Sequence, residues 1–270
     1  MNRKTLTVSM LLSPKSDIVF KLIFGDQRNA DVLSAFLQAV LELPAEEYKK
    51  ITVVDPHLKA DLLDDKLGIL DVKIHTKTGK VIDVEIQVAP TAPMRERLIF
   101  YLAKMITEQI GEGEDYAVIK RVISVVITDF ELIPKSPAYH HVFRLYDRKH
   151  ESEFSDLLEV NTLELPKLPK RKDKSKLYDW LQFFKTKKEE ELEMLASNNP
   201  MIGKAVGILK KLSADERTRM LAEKREMLRM DISASIKNAT RIGLERGLEQ
   251  GLIRGRAEGE ARGEARRAVE

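Results

Sequence analysis

The chain contains no cysteine, which excludes a disulfide framework, thiolate metal sites and thiol chemistry. No apolar run approaches the roughly 18 residues of a membrane-spanning helix, so no membrane partner is expected. Aromatic residues make up only 6% of the chain and charged residues 33%, so much of the surface must be ionic. Neither sign of charge dominates. The 46 Lys and Arg against 43 Asp and Glu leave a net charge of +3. A field that weak is a poor argument for nucleic acid by itself, and local clustering matters more. Arg3 and Lys4 are followed by a short mixed stretch ending in Met10-Leu11-Leu12. It lacks an apolar core and a cleavage site, so it does not read as a signal peptide. These absences fit a cytoplasmic protein.

Two strands and a tight turn organise what is present. In Gly68 to Val88 (GILDVKIHTKTGKVIDVEIQV) the even positions are apolar: Leu70, Val72 and Ile74, then Ile82, Val84, Ile86 and Val88. The odd positions hold most of the polar groups: Asp71, Lys73 and His75, then Asp83, Glu85 and Gln87. This period of two predicts two half-buried strands. A two-residue loop at Thr78-Gly79 would set Asp71 against Ile86. A three-residue loop, Lys77-Thr78-Gly79, sets Asp71 against Glu85 and places glycine where such loops need a left-handed residue. A slip of one residue would turn the apolar set onto the wrong face. The three-residue loop is therefore expected, with facing Cβ atoms about 4.5–5.5 Å apart. Two carboxylates at that separation repel unless something positive lies between them. A hard divalent cation such as Mg²⁺ meets that need. On spacing alone, a solvated polar face with Lys73 neutralising the acids is the commoner arrangement.

Asp71 followed by Glu85-Ile86-Gln87 resembles the PD-(D/E)XK nuclease pattern in its Asp…Glu-x-Gln form. The segment LDVKIHTKTGKVIDVEIQ is similar to the recombination-promoting nucleases, also called PD-(D/E)XK family transposases. SDIVFKLIFG (16–25), RERLIFYLAKM (95–105), VISVVITDF (122–130), LELPK (163–167) and DWLQFF (179–184) agree in order. The resemblance covers about residues 13–185. It implies an α/β, restriction-endonuclease-like mixed sheet flanked by helices, and metal-dependent hydrolysis of DNA phosphodiesters with low sequence preference. The link to recombination or mobile elements comes with it. Mg²⁺ is the implied cofactor, with Mn²⁺ or Ca²⁺ as alternatives. Asp71 and Glu85 are the implied ligands, with the Ile86 carbonyl and Asp17 as further candidates. A lone Asp in the first turn of a helix is more often there for the dipole. Gln87 stands where the wider superfamily has a lysine; it can orient water but brings no charge. Lys73, opposite Asp83 on the same face, is the candidate replacement for that charge. Arg97 and Tyr101 lie four apart on one helix face and resemble the family's Arg…Tyr pair, placed to reach phosphate. Packing claims Tyr101 equally.

Elsewhere the pattern predicts helices near 16–25, 29–43 and 94–109. Met94, Leu98, Tyr101, Leu102, Met105 and Ile106 line one side of the last of these, with Gly111 and Gly113 ending it. Ser16 is the expected cap of the first helix, and Pro44 the expected stop of the second. A short strand is expected at Ile51–Val54, a fully buried one at Arg121–Thr128, and two more at 140–146 and 159–165. Lys170, Arg171 and Lys172 crowd a Pro-containing segment that is either a solvated loop or a set of phosphate contacts. Trp180, Phe183 and Phe184 read as core. The five histidines have no zinc-like spacing. Ser213-Ala214-Asp215-Glu216 has capping-box spacing. The expected division is a nuclease-like domain over 1–186, a helical region over 187–237 and a charged tail over 238–270. In the tail Gly243, Gly247, Gly251, Gly255, Gly259 and Gly263 recur every fourth residue. Each interior glycine costs a helix about 1 kcal/mol, so the tail is either a frayed extension or a self-association helix supported by Leu244, Leu248 and Leu252. A non-catalytic nuclease-fold scaffold assembling through that tail is the alternative to the enzyme.

Overall fold

A computed structural model describes residues 11–54, 72–90, 93–171, 173 and 175–267, except for a few side chains late in the last helix. The elements run α1 (Asp17–Phe24), α2 (Ala30–Val40), β1 (Thr52–Val53), β2 (Val72–His75), β3 (Val81–Gln87), α3 (Met94–Thr107), β4 (Val122–Thr128), β5 (His140–Asp147) and β6 (Ser152–Glu164). The helices α4 (Lys176–Lys185), α5 (Glu189–Asn198), α6 (Pro200–Ala214) and α7 (Glu216–Arg267) follow. Among the described residues six strands make one mixed sheet in the order β1-β2-β3-β4-β6-β5. The three central strands β3, β4 and β6 are parallel; the outer pairings are antiparallel.

The hairpin turns as its glycine requires. Gly79 sits at φ +87, its N–H donates to the Thr76 carbonyl at 3.0 Å, and Thr76 N–H donates to the Lys80 carbonyl at 3.0 Å. The three-residue loop sets the register Val72↔Val84, Lys73↔Asp83 and Ile74↔Ile82. The expectation of half-buried strands holds for β2, where buried Val72 and Ile74 alternate with half-buried Lys73 and His75, and is corrected for β3, which is buried on both faces. The even face of β3 packs with Phe20, Phe24, Phe36, Trp180 and Phe184 from α1, α2 and α4 in the main core. The odd face is covered too, by α3, through Val81 with Leu102 and Met105 and through Met94 and Leu98 against Val126. Two covered faces are the rule for parallel strands joined by a helical crossover. Asp83 and Glu85 are consequently each 1% exposed and do not form a solvated face.

β4 is buried along its whole length, as its unbroken apolar run predicts. Leu192 of α5 and Ile202, Ala205, Val206 and Leu209 of α6 join the same core. Contacts divide the chain into two compact units, Met1–Ala222 and Glu223–Glu270. Several end signals stand elsewhere than expected. Ser16 occupies the cap position of α1 without a side-chain capping bond. α2 stops at Val40, before Pro44, and α3 stops at Thr107, before Gly111. Ser213 is no cap either; its hydroxyl donates to the Leu209 carbonyl at 2.7 Å and accepts from Leu12 N–H at 2.9 Å. Asp215 caps instead, accepting from Thr218 N–H at 2.8 Å. A hydroxyl inside a helix bonds back to the previous turn, and the carboxylate one residue outside is free to cap.

Candidate active site

The C-terminal ends of β3, β4 and β6 lie side by side, Gln87 against Thr128 and Thr128 against Glu164. In open α/β sheets ligands bind outside such carboxyl ends. Glu85 lies just inside this edge on the face that α3 covers. Its Oε2 accepts from Arg97 Nη2 at 3.1 Å and from Gln87 Nε2 at 3.3 Å. Sequence geometry explains the meeting. Gln87 is two residues along the same strand, hence on the same face. Arg97 lies on α3 between Met94 and Leu98, which anchor that helix over the sheet. Burial pushes the Glu85 carboxyl up from its ordinary value, and the charge and hydrogen bond of Arg97, then Gln87 and Lys21, pull against it. Burial wins because desolvation penalises an anion that is all but sealed from water.

The other expected site residues fall as follows. Lys73 faces Asp83 in register, and its Nζ donates to Glu108 at 2.7 Å. Asp17 opens α1, and its Oδ1 accepts from Ile18 N–H at 2.8 Å. Ile86 is buried on the core face. Tyr101 is half-buried one turn after Arg97, with its ring 5.6 Å from that of Phe100. Lys170 and Arg171 are exposed. Asp71 and Lys172 lie outside the described residues, as does His57. Glu85, Gln87 and Arg97 are therefore brought together; Lys73 is engaged with Glu108.

A hard divalent cation takes oxygen donors. Glu85 offers one carboxylate whose two neighbours both bond to Oε2, in a setting where a carboxylate calls for nearby positive charge. That fits one half of a two-carboxylate set. Among the described residues no group of three or more His, Cys, Asp or Glu converges on a point. Three of the four described histidines have other side-chain partners, His140 with Asn161 at 2.9 Å, His141 with Ser136 at 2.6 Å and His150 with Asp147 at 2.6 Å, and the fourth, His75, is half-buried at the end of β2.

Sequence reasoning missed Glu47. It sits in a short 3-10 turn (Ala45–Lys49) and clamps the hairpin loop. Its carboxylate accepts from Thr76 Oγ1 and Thr78 Oγ1, each at 2.7 Å, and from Lys80 Nζ. Burial pushes its pKa up, but these donors more than reverse that and bring it to about 2. Glu159 was missed as well. It is buried on β6 and paired with Arg121 and, at 2.6 Å, Arg144. Both sit 30 or more residues from some of their partners, and no local pattern marks them.

A mixed sheet with an antiparallel hairpin feeding a buried acid onto its central strand, helices on both faces, defines the restriction-endonuclease-like class. A family profile described as PD-(D/E)XK nuclease family transposase matches residues 14–239. The chain belongs to that family. No match was found among curated proteins or among solved structures.

Proposed function

We propose that the protein is a metal-dependent DNA endonuclease of low sequence specificity, serving recombination or a mobile element. The observation that carries the reading is the meeting of Glu85, Gln87 and Arg97 beside a hairpin whose register is the one required for Asp71 to face Glu85. Nucleases of this family's class typically use divalent metals; Mg²⁺ is proposed here, with Asp71, Glu85, the Ile86 carbonyl and Asp17 as the donors. When bound, the ion supplies neutralising charge and lowers the pKa of an attacking water. The chain's own residues do the rest. Gln87 orients the water through its amide. Lys73 supplies the positive charge that Gln87 lacks by giving up its bond to Glu108, and Tyr101 borders the reacting phosphate. Arg97 exchanges its bond to Glu85 for one to substrate phosphate, which uncovers the carboxylate; Arg suits that exchange because its planar fork binds either anion. Lys170, Arg171 and Lys172 contact more distant phosphates. The tail helix contributes self-association through its leucines, and truncation after Lys237 lowers the oligomeric mass.

Plasmid nicking tests the reading. Purified protein with Mg²⁺ nicks supercoiled plasmid, and EDTA, Asp71→Ala or Glu85→Gln abolishes it. Nicking that survives those controls, or is absent in every lane, defeats the proposal. One observation favours a second reading, a non-catalytic scaffold: Glu85 is 1% exposed, and Arg97 covers it. Absence of nicking together with DNA binding unaltered by Mg²⁺ selects that reading.

A further inference from the structure

Glu164 ends β6 and is fully buried. Register places it beside Thr128, and Thr128 beside Gln87, so all three share the face that α3 covers. Its Oε2 accepts from the Leu132 N–H at 2.8 Å and the Ile133 N–H at 3.2 Å, and Lys167 Nζ lies 2.8 Å away. Lys167 Nζ also donates to the Ile133 carbonyl, at 2.6 Å. The segment 129–133 held in this way begins beside the site, where the Asp129 N–H donates to the Gln87 carbonyl at 2.9 Å. Its other end grips α3. The Leu132 carbonyl accepts from Arg95 Nη2 at 2.7 Å, and the Leu132 side chain packs with Met94 and Leu98. Arg97, which covers Glu85, lies two residues beyond Arg95 in the same turn.

We propose that Glu164 is a positioning residue for the site at Glu85, acting through segment 129–133 to fix the first turn of α3 and with it the guanidinium of Arg97. Its consequence for catalysis rests on the nuclease reading; the chain of contacts does not. A carboxylate sealed from water is costly unless donors converge on it, and those that converge on Glu164 Oε2 are the amides of this segment and the lysine that holds it. Hydrogen bonds to an ionised acceptor are the stronger kind, so the backbone at Leu132 and Ile133 is pinned rather than merely paired. Pinning matters because a misplacement of about 1 Å at a reacting group costs on the order of a hundredfold in rate. The remaining oxygen, Oε1, has no hydrogen-bond partner among the described residues and lies 3.5 Å from His141 Nδ1, which has none either.

The test uses the full chain and four substitutions. Glu164→Ala removes the clamp. Glu164→Gln keeps an oxygen for the two N–H groups and offers its NH2 to His141 Nδ1. Arg95→Met cuts the link at the α3 end. Val206→Ala truncates the main core in α6 and leaves the segment untouched. The Arg97 N–H donates to the Pro93 carbonyl at 3.1 Å, and its hydrogen exchange reads the first turn of α3. That exchange speeds by about tenfold or more in Glu164→Ala and Arg95→Met and stays within about threefold of the parent in the other two. In plasmid nicking, kcat falls by about tenfold or more in the same two variants, with a smaller change in KM because Lys170 and Arg171 are untouched. The double variant falls no further than the worse single one, and Glu164→Gln retains most of kcat. Unchanged Arg97 exchange in Glu164→Ala, equal loss with Gln and Ala, or additive losses in the double variant overturn the proposal. A parent that never nicks sinks the nuclease reading alone, and the exchange rates then decide whether Glu164 sets Arg97.

Discussion

Arg97 is what keeps a sealed carboxylate tolerable at Glu85. Removing it leaves a buried acid with only the Gln87 amide and the more distant charge of Lys21, so Arg97→Ala is expected to destabilise the fold by roughly 2–3 kcal/mol, somewhat under the cost of breaking a fully buried pair because Arg97 is 26% exposed. Urea unfolding at neutral pH measures it. Glu47 and Glu85 respond to acid in opposite directions. The folded state holds Glu47 well below its ordinary 4.5, at about 2. Its stabilisation is present above 4.5 and is lost as pH falls towards 2. Glu47→Ala should therefore cost roughly 2–3 kcal/mol at pH 7 through its orphaned donors, and the gap to the parent should close below pH 4. Glu85 is raised, so its contribution is full below 4.5 and is lost as pH climbs through the raised value. Glu85→Gln should accordingly unfold at higher denaturant than the parent at pH 8, and lose that advantage at pH 4.

The hairpin is the element that sets the site, and its turn sets the hairpin. Gly79 holds φ +87, and a Cβ there would meet only Lys120 Cγ, at 3.6 Å. Space is adequate, so the cost of a side chain is backbone strain. Gly79→Val is expected to lose roughly 1–2 kcal/mol, read by thermal unfolding, and to lower nicking further by loosening the β2–β3 register. The period of two across 72–88 made this element legible from the residues, because turn length and pattern admit one consistent register. The unbroken apolar run of β4 was equally legible. The polar face was not. Period two says which residues share a face, but whether water or α3 covers it depends on a crossover helix whose placement no local pattern states. The same limit hid Glu47 and Glu159, whose partners come from distant segments.

Across the whole molecule the charge balance is close to neutral, so the proposed binding to DNA would have to come from local clusters. Lys170 and Arg171 are exposed together before α4. Replacing both by alanine should weaken DNA binding about equally for all sequences and reduce the slope of log affinity against log salt by about one per lost phosphate contact. Fluorescence anisotropy over a salt series reads this, and a sequence-dependent loss would count against the assignment. No described helix is long and apolar enough to cross a membrane, in keeping with the absence of long apolar runs.

The residues in order determined the hairpin, its glycine-ended loop, the buried β4 and the core character of Trp180, Phe183 and Phe184, because each follows from residue type and interactions within a few positions of the chain. Tertiary structure decided that Glu85 is sealed, that Arg97 rather than solvent neutralises it, and that Glu47 holds the turn. Those outcomes depend on which distant surfaces come together, and the energy of a buried charge is set by what surrounds it rather than by its neighbours in sequence.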